Sequence, residues 1–388
     1  MKRLLFIFLL ALPALCVRSQ KANIHINVTG NAVVDRVWYV SAYPLYGDTP
    51  PVERDSVVRV GNSLDYNLCK DTLCSVMIYP REAMKKGTDG SVYISLSRTI
   101  MLVASRNMNV DVNAEQRGKR IFYHVNGDGF NADYANMVSG YRDRCGDAIS
   151  EVADQYNMVD SADTVKQNAL MVQMDSLSRQ AMDYYRSYVR NNPDKDCAAF
   201  LLLDEDDSIF IKGYEALSQS VKTGLMKPAL DLKLKDIAVQ KQSADNQKRV
   251  CAGASAPDFT LTDLSGRKVS LSSLRGKYVV LDFWGTWCYW CMKGVPDMKT
   301  YYDRYRGKVE FVGIDCNDKE PAWRKVVTEK KMNWTQVRNA TDIKDDVAVK
   351  YGVEGYPTKV IIDGNGKIVE VFAGEDETFY QKLDSLFK

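Results

Sequence analysis

Two cysteines lie three positions apart in Trp287-Cys288-Tyr289-Trp290-Cys291, just after the apolar run Tyr278-Val279-Val280-Leu281-Asp282-Phe283. A Cys-x-x-Cys pair that follows a buried strand and opens a helix has the arrangement of a dithiol cycling between thiols and a disulfide. The attacking species is the thiolate, which the orphan N–H groups and dipole of a helix N-terminus favour. Cys288 falls at that position. Cys291, one turn later, shares its face and is expected to be the more covered of the two. Cys288 would then open a substrate disulfide to give a mixed disulfide, and Cys291 would attack Cys288 to release the reduced product. Cys291 needs a base to lose its proton. Asp282, charged inside the apolar strand, is the evident nearby candidate, and burial should raise its pKa toward the range useful for proton transfer. No lysine stands out as its partner.

The same pair could instead be a structural disulfide or half of a zinc site. Zinc would require two more Cys or His at ligand spacing, and none follows, so no metal and no other cofactor is expected. The histidines, His25 and His124, are far from the pair in sequence, which argues against a Cys–His protease arrangement. A peroxidase of the Pro-x-x-x-Thr-x-x-Cys kind is also disfavoured, because Thr286 is two residues before Cys288 and no proline matches. Trp284 reads as core. Trp287, beside the reactive cysteine, can form a substrate-facing apolar surface, and Tyr289 and Trp290 join it as substrate-binding candidates.

Apolar residues make up 45% of the 388 residues, charged residues 26%, and the net charge is +2. This ordinary balance offers no signal for nucleic acid or an anionic membrane surface. The chain begins with Lys2-Arg3, an apolar run Leu4 to Leu15, and Cys16-Val17-Arg18-Ser19-Gln20. That is the pattern of a secretory signal peptide, and the expected location is exported, periplasmic. The alternative is a membrane-anchored lipoprotein with Cys16 as the lipidated residue. Export brings the other cysteines into an oxidising compartment. Cys69 and Cys74 are either a small-loop disulfide or two separate thiols, whereas Cys145, Cys197, Cys251 and Cys316 read as small buried hydrophobes.

Length favours several domains, and the expected fold class is multidomain: an all-β N-terminal domain, a helical middle segment and a C-terminal α/β domain. Residues 1–20 are the signal. Residues 21–126 carry short β-branched or aromatic runs, such as Ile24–Val28, Val37–Val40, Ser75–Tyr79 and Ile100–Val103. Turn residues separate them at Gly30-Asn31, Gly47-Asp48-Thr49-Pro50-Pro51 and Gly61-Asn62, which suggests a small sandwich or open barrel. The texture changes near Gly127-Asp128-Gly129. Residues 127–250 are helical segment and linker, with Leu170, Met174, Leu177 and Met182 at helical spacing as core. Residues 251–388 alternate strand and helix and end in the hairpin signal Gly364-Asn365-Gly366, as a mixed sheet covered by helices does.

Four stretches in order carry a family resemblance: Ala256-Pro257-Asp258-Phe259, Gly276-Lys277, Leu281-Asp282-Phe283-Trp284-Gly285-Thr286-Trp287-Cys288 and Tyr356-Pro357-Thr358. Residues 254–388 resemble the thioredoxin fold, specifically the exported TlpA/ResA-like thiol–disulfide oxidoreductases. The resemblance covers about a third of the chain. It implies that Pro357 is cis and packs against the cysteine pair, and that the backbone around Tyr356 pairs with an extended substrate segment. The partners it implies are disulfide-containing protein clients and a membrane thiol electron donor, in a role such as cytochrome c maturation or repair of wrong disulfides. Residues 22–250 resemble the DUF4369-like N-terminal regions fused to such domains in bacteria. Thioredoxin has Gly-Pro between its cysteines where this chain has Tyr289-Trp290, and the acidic residue that ResA-like members carry there is replaced by Tyr289. The intervening dipeptide bears on the direction of electron flow. The leading expectation is a reductase. The alternatives are an oxidase or isomerase, with the N-terminal region as a dimerisation or client-binding module, and a non-enzymatic surface binding module.

Overall fold

Alternation in the first strands sorts their side chains between a core and solvent. The computed structural model describes residues 22–30, 36–46, 53–88, 90–127 and 129–388. The signal-peptide and Cys16 readings, and the turns at Asn31, Gly47 to Pro51 and Asp128, lie outside the described residues. The described residues form two compact units, those up to Lys233 and those from Leu234 onward.

The first unit opens with ten strands: β1 (Ile24–Thr29), β2 (Val37–Pro44), β3 (Glu53–Val58), β4 (Ser63–Tyr66), β5 (Cys74–Pro80), β6 (Met84–Lys86), β7 (Val92–Ile94), β8 (Ile100–Ala104), β9 (Val110–Arg117) and β10 (Arg120–Val125). They build two four-stranded sheets, β10-β9-β1-β4 and β3-β2-β5-β8, and a separate β6-β7 hairpin. Ile24, Ile26 and Val28 of one sheet share a core with Trp38, Val40 and Ala42 of the other, so the β region is a sandwich. Strands β4 and β9 carry a polar residue at nearly every second position and hold little apolar signal in the sequence.

Helices α1 (Phe130–Tyr141), α2 (Asp147–Asn157), α3 (Thr164–Asn191), α4 (Asp196–Leu202), α5 (Asp207–Ala216) and α6 (Gln219–Thr223) complete this unit, and α7 (Lys227–Gln247) runs across the division. A π-helical turn, Arg142–Gly146, joins α1 to α2. The buried Arg142 guanidinium there donates to the carbonyl oxygens of Leu96, Thr99 and Ile121, which ties the helices to the sandwich. Leu170 is buried as expected, but Met182 is exposed: α3 is long and polar enough to leave most of its surface to solvent. Cys145, Cys197 and Cys316 are buried, whereas Cys251 is exposed in the turn ahead of the next sheet. The Cys69 and Cys74 thiols each donate to a backbone carbonyl, those of Asn67 and Thr72.

The second unit contains β11 (Thr260–Asp263), β12 (Lys268–Ser270), β13 (Tyr278–Trp284), α8 (Tyr289–Tyr305), β14 (Val309–Asp315), α9 (Glu320–Glu329), β15 (Thr335–Arg338), α10 (Val347–Lys350), β16 (Thr358–Ile362), β17 (Ile368–Ala373) and α11 (Glu377–Phe387). One seven-stranded mixed sheet runs β12-β11-β15-β14-β13-β16-β17. Central β13 pairs parallel with β14 and antiparallel with β16. It is buried on both faces, which explains its near-continuous apolar sequence. Leu281 and Phe283 join the core on one face. Val280 and Trp284 join the other, with Cys291 and Val295 of α8 and Phe379 and Leu383 of α11. Alternation therefore aims Asp282 at the face that α8 covers.

Phe283 is fully buried in the central strand. Phe283→Ala is expected to lower the unfolding free energy of this unit by about 3–5 kcal/mol, read from the urea midpoint of the full chain. A midpoint like that of the unaltered protein would contradict this placement.

Candidate active site

Strand β13 ends at Trp284, and after four intervening residues the chain enters α8 at Tyr289. The connection is held from both sides. The carboxylate of Asp318 accepts from the backbone N–H and the hydroxyl of Thr286. The Trp287 indole N–H donates to the Cys316 carbonyl at 3.0 Å. Gly285 makes room for that ring, since a Cβ there would lie 2.5 Å from the indole nitrogen. Behind the loop, Asp315 is buried. Burial first, then its hydrogen bond and charge repulsion with Asp318, push its carboxyl up to about 8.

Cys288 caps the N-terminus of α8 and accepts from the Cys291 N–H at 3.1 Å. The two cysteines are joined as a disulfide. Cys291 is not the more covered: with the disulfide formed, both residues are 6% exposed. The two differ in their neighbours. Cys288 lies between Trp287 and Tyr289, which are 53% and 72% exposed. Cys291 lines a small buried cavity together with Asp282, Pro357, Lys359 and Glu375. The Tyr356–Pro357 peptide bond is cis. Tyr356 packs edge-on against Trp287, ring centroids 5.1 Å apart. Trp290, also exposed, meets Tyr289 edge-on and has the Lys293 ammonium 4.8 Å from its ring centre. Cys288, Cys291, Asp282, Trp287, Tyr289, Trp290, Tyr356 and Pro357 thus converge at the C-terminal end of β13. Cys316 is buried to the side, and burial pushes its thiol pKa up.

Asp282 does have a lysine partner. Lys359, directly opposite it across the β13–β16 pairing, is almost completely buried, with Nζ 4.0 Å from Asp282 Oδ1. Its closer bond is to Glu375 Oε2, at 2.6 Å. Glu375 Oε1 in turn accepts from the Tyr380 hydroxyl at 2.7 Å. Asp282 Oδ1 accepts no hydrogen bond among the described residues. Burial raises the Asp282 carboxyl to about 6, with Lys359 pulling it down and Glu375 pushing it up. Lysine in the otherwise apolar Thr358–Ile362 is a signal the sequence does contain. Glu375, Asp315 and Asp318 have no comparable spacing or composition signal.

A central strand, a helix capped by the first of two cysteines, a buried carboxylate beneath the second and a cis-proline beside them define a thioredoxin-like redox domain. Residues 252–371 match the AhpC/TSA family. The chain is 38% identical over 133 residues to the thiol-disulfide oxidoreductase ResA of Bacillus thuringiensis, covering 34% of this chain and 75% of that protein. The ResA of Bacillus subtilis is 33% identical over 129 residues, covering 33% and 70%. A solved thioredoxin domain of a thiol-disulfide oxidoreductase from Bacteroides vulgatus is 32% identical, covers 35% of this chain and 98% of that one, and superposes with a TM-score of 0.33. Through this domain the chain belongs to the ResA/TlpA-like thiol–disulfide oxidoreductases.

The raised Asp282 pKa makes a stability prediction. In the unfolded chain this carboxyl titrates near 3.8, and in the folded one near 6. Below the lower value both states are protonated, so burial of the neutral acid costs nothing extra. As pH rises through the folded value, that advantage is lost. Asp282→Asn is therefore expected to leave stability unchanged at about pH 3 and to raise it by about 3 kcal/mol at pH 8, measured by denaturant titration of the oxidised protein. Equal effects at both pH values would contradict the assignment.

Proposed function

We propose that the protein is an exported protein-disulfide reductase working through the Cys288/Cys291 couple. The observation that carries this reading is the difference in surroundings between the two cysteines. One caps a helix among exposed aromatics, and the other shares a cavity with a buried carboxylate. In the reduced enzyme the Cys288 thiolate, favoured by the α8 N-terminus, attacks a client disulfide. A bond forms between Cys288 Sγ and one client sulfur, and the other client sulfur leaves as a thiolate and takes a proton. Cys291 then gives its proton to Asp282 and attacks Cys288 Sγ. The second client sulfur departs, and the Cys288–Cys291 disulfide closes. Two electrons have passed to the client, and a membrane thiol donor restores the dithiol.

Trp287, Tyr289 and Trp290 present exposed apolar surface beside the reacting sulfur, and Tyr356 and Pro357 flank it. They are the proposed client-binding residues, with an extended client segment along the backbone at Tyr356. Residues 1–20 act as the export signal, with anchoring at Cys16 the alternative. Residues 21–126 and 127–250 are proposed to bind clients or pair two copies of the chain. Exported proteins with unwanted disulfides, including those awaiting haem attachment, are the client class. Among the described residues no helix is long and apolar enough to cross a membrane.

The reduced protein is expected to cleave insulin disulfides. Cys288→Ser should abolish turnover. Cys291→Ser should accumulate a mixed disulfide at Cys288, visible as a mass increase under non-reducing conditions. Undiminished turnover by Cys288→Ser would overturn the reading.

A further inference from the structure

The cavity under Cys291 holds three ionisable side chains where a simple acid–base pair would need one or two. Lys359 is a captive cation, 2% exposed, with a carboxylate on either side. It bonds one of them, Glu375, at 2.6 Å and stands 4.0 Å from the other, Asp282. Glu375 comes from the loop after β17 and reaches its position by passing over Gly294 of α8. A Cβ at Gly294 would lie 2.3 Å from the Glu375 carboxyl carbon, so a glycine one turn beyond Cys291 is what admits it. The Tyr380 hydroxyl fixes its second oxygen.

We propose that Glu375 is a positioning residue that draws Lys359 away from Asp282 and so leaves Asp282 free to accept the Cys291 proton. The proposal rests on Asp282 being the base. A cation bonded directly to Asp282 would hold it ionised and make it a weak proton acceptor. With Lys359 neutralised by Glu375, the trio is electrically balanced when Asp282 is neutral. Transfer of the Cys291 proton therefore ends in a charge arrangement that the buried site tolerates. The groups facing Asp282 are Cys291 on α8, Lys359 on β16, Glu375 after β17, Tyr380 on α11 and, more distantly, Cys316 after β14.

The test uses the reduced full-length protein with the exposed Cys69 and Cys251 replaced by serine, and less than one equivalent of the aromatic disulfide 5,5′-dithiobis(2-nitrobenzoate). The first thionitrobenzoate released reports attack by Cys288, and the second reports resolution by Cys291. The second step is followed against pH. In Glu375→Gln, Lys359 turns to Asp282. The midpoint of the profile is expected to move to lower pH by about one unit or more, with a slower plateau. In Lys359→Met the cation is gone and the midpoint is expected to move to higher pH. Glu375→Asp should restore part of the wild-type profile. Shifts of opposite sign are not the signature of a merely loosened core. Unchanged midpoints in both variants, with Asp282→Asn abolishing the pH dependence, would overturn the proposal and leave Asp282 as the base. A wild-type profile in Asp282→Asn would instead overturn the base assignment itself.

Discussion

A carboxylate inside the central strand of a doubly covered sheet is costly in its charged form. Asp282 is such a group, and the surroundings of the cysteine pair are arranged around it. The strand pairing places Lys359 opposite, the loop after β17 brings in Glu375, and Gly294 gives that loop clearance over α8. Removing Lys359 or Glu375 would leave a buried charge without its counterpart. The same alternation that buries Val280 and Trp284 aims Asp282 at Cys291.

The loop that carries Cys288 has its own restraint. Asp318 takes two hydrogen bonds from Thr286, and the Cys316 carbonyl takes one from Trp287. Both acceptors lie just beyond β14, the parallel neighbour of β13, so the sheet register positions the loop. Trp287 is thereby half-exposed and still fixed, which suits the proposed client-binding role. The cysteine pair is held from below by a charged trio and from above by a pinned aromatic.

The parts of this site that were legible in the sequence are those whose residues signal locally. Cys288 and Cys291 announce themselves by spacing, Asp282 by being charged in an apolar run, and Pro357 through the family motif Tyr356-Pro357-Thr358. The strands β13, β14, β16 and β17 are equally plain, because they are apolar and bounded by turn residues. Lys359 was readable by the same rule as Asp282 but acquires meaning only through its register with β13. Glu375 is an ordinary acidic residue in a polar loop, and nothing short of the tertiary path of that loop links it to Gly294. In the first unit, the polar alternation of β9 and the exposed face of α3 at Met182 show the same limit. Period marks which side chains share a face, but not which face is covered.

The central claim is that Cys288 and Cys291 form a reducing couple for protein disulfides. It is tested most directly by equilibrating the full-length protein with thiol–disulfide buffers of known potential and counting free thiols at these two positions. A midpoint near the thioredoxin range, about −270 mV, is the result this account predicts. A midpoint near about −120 mV would mark the couple as an oxidant and contradict it.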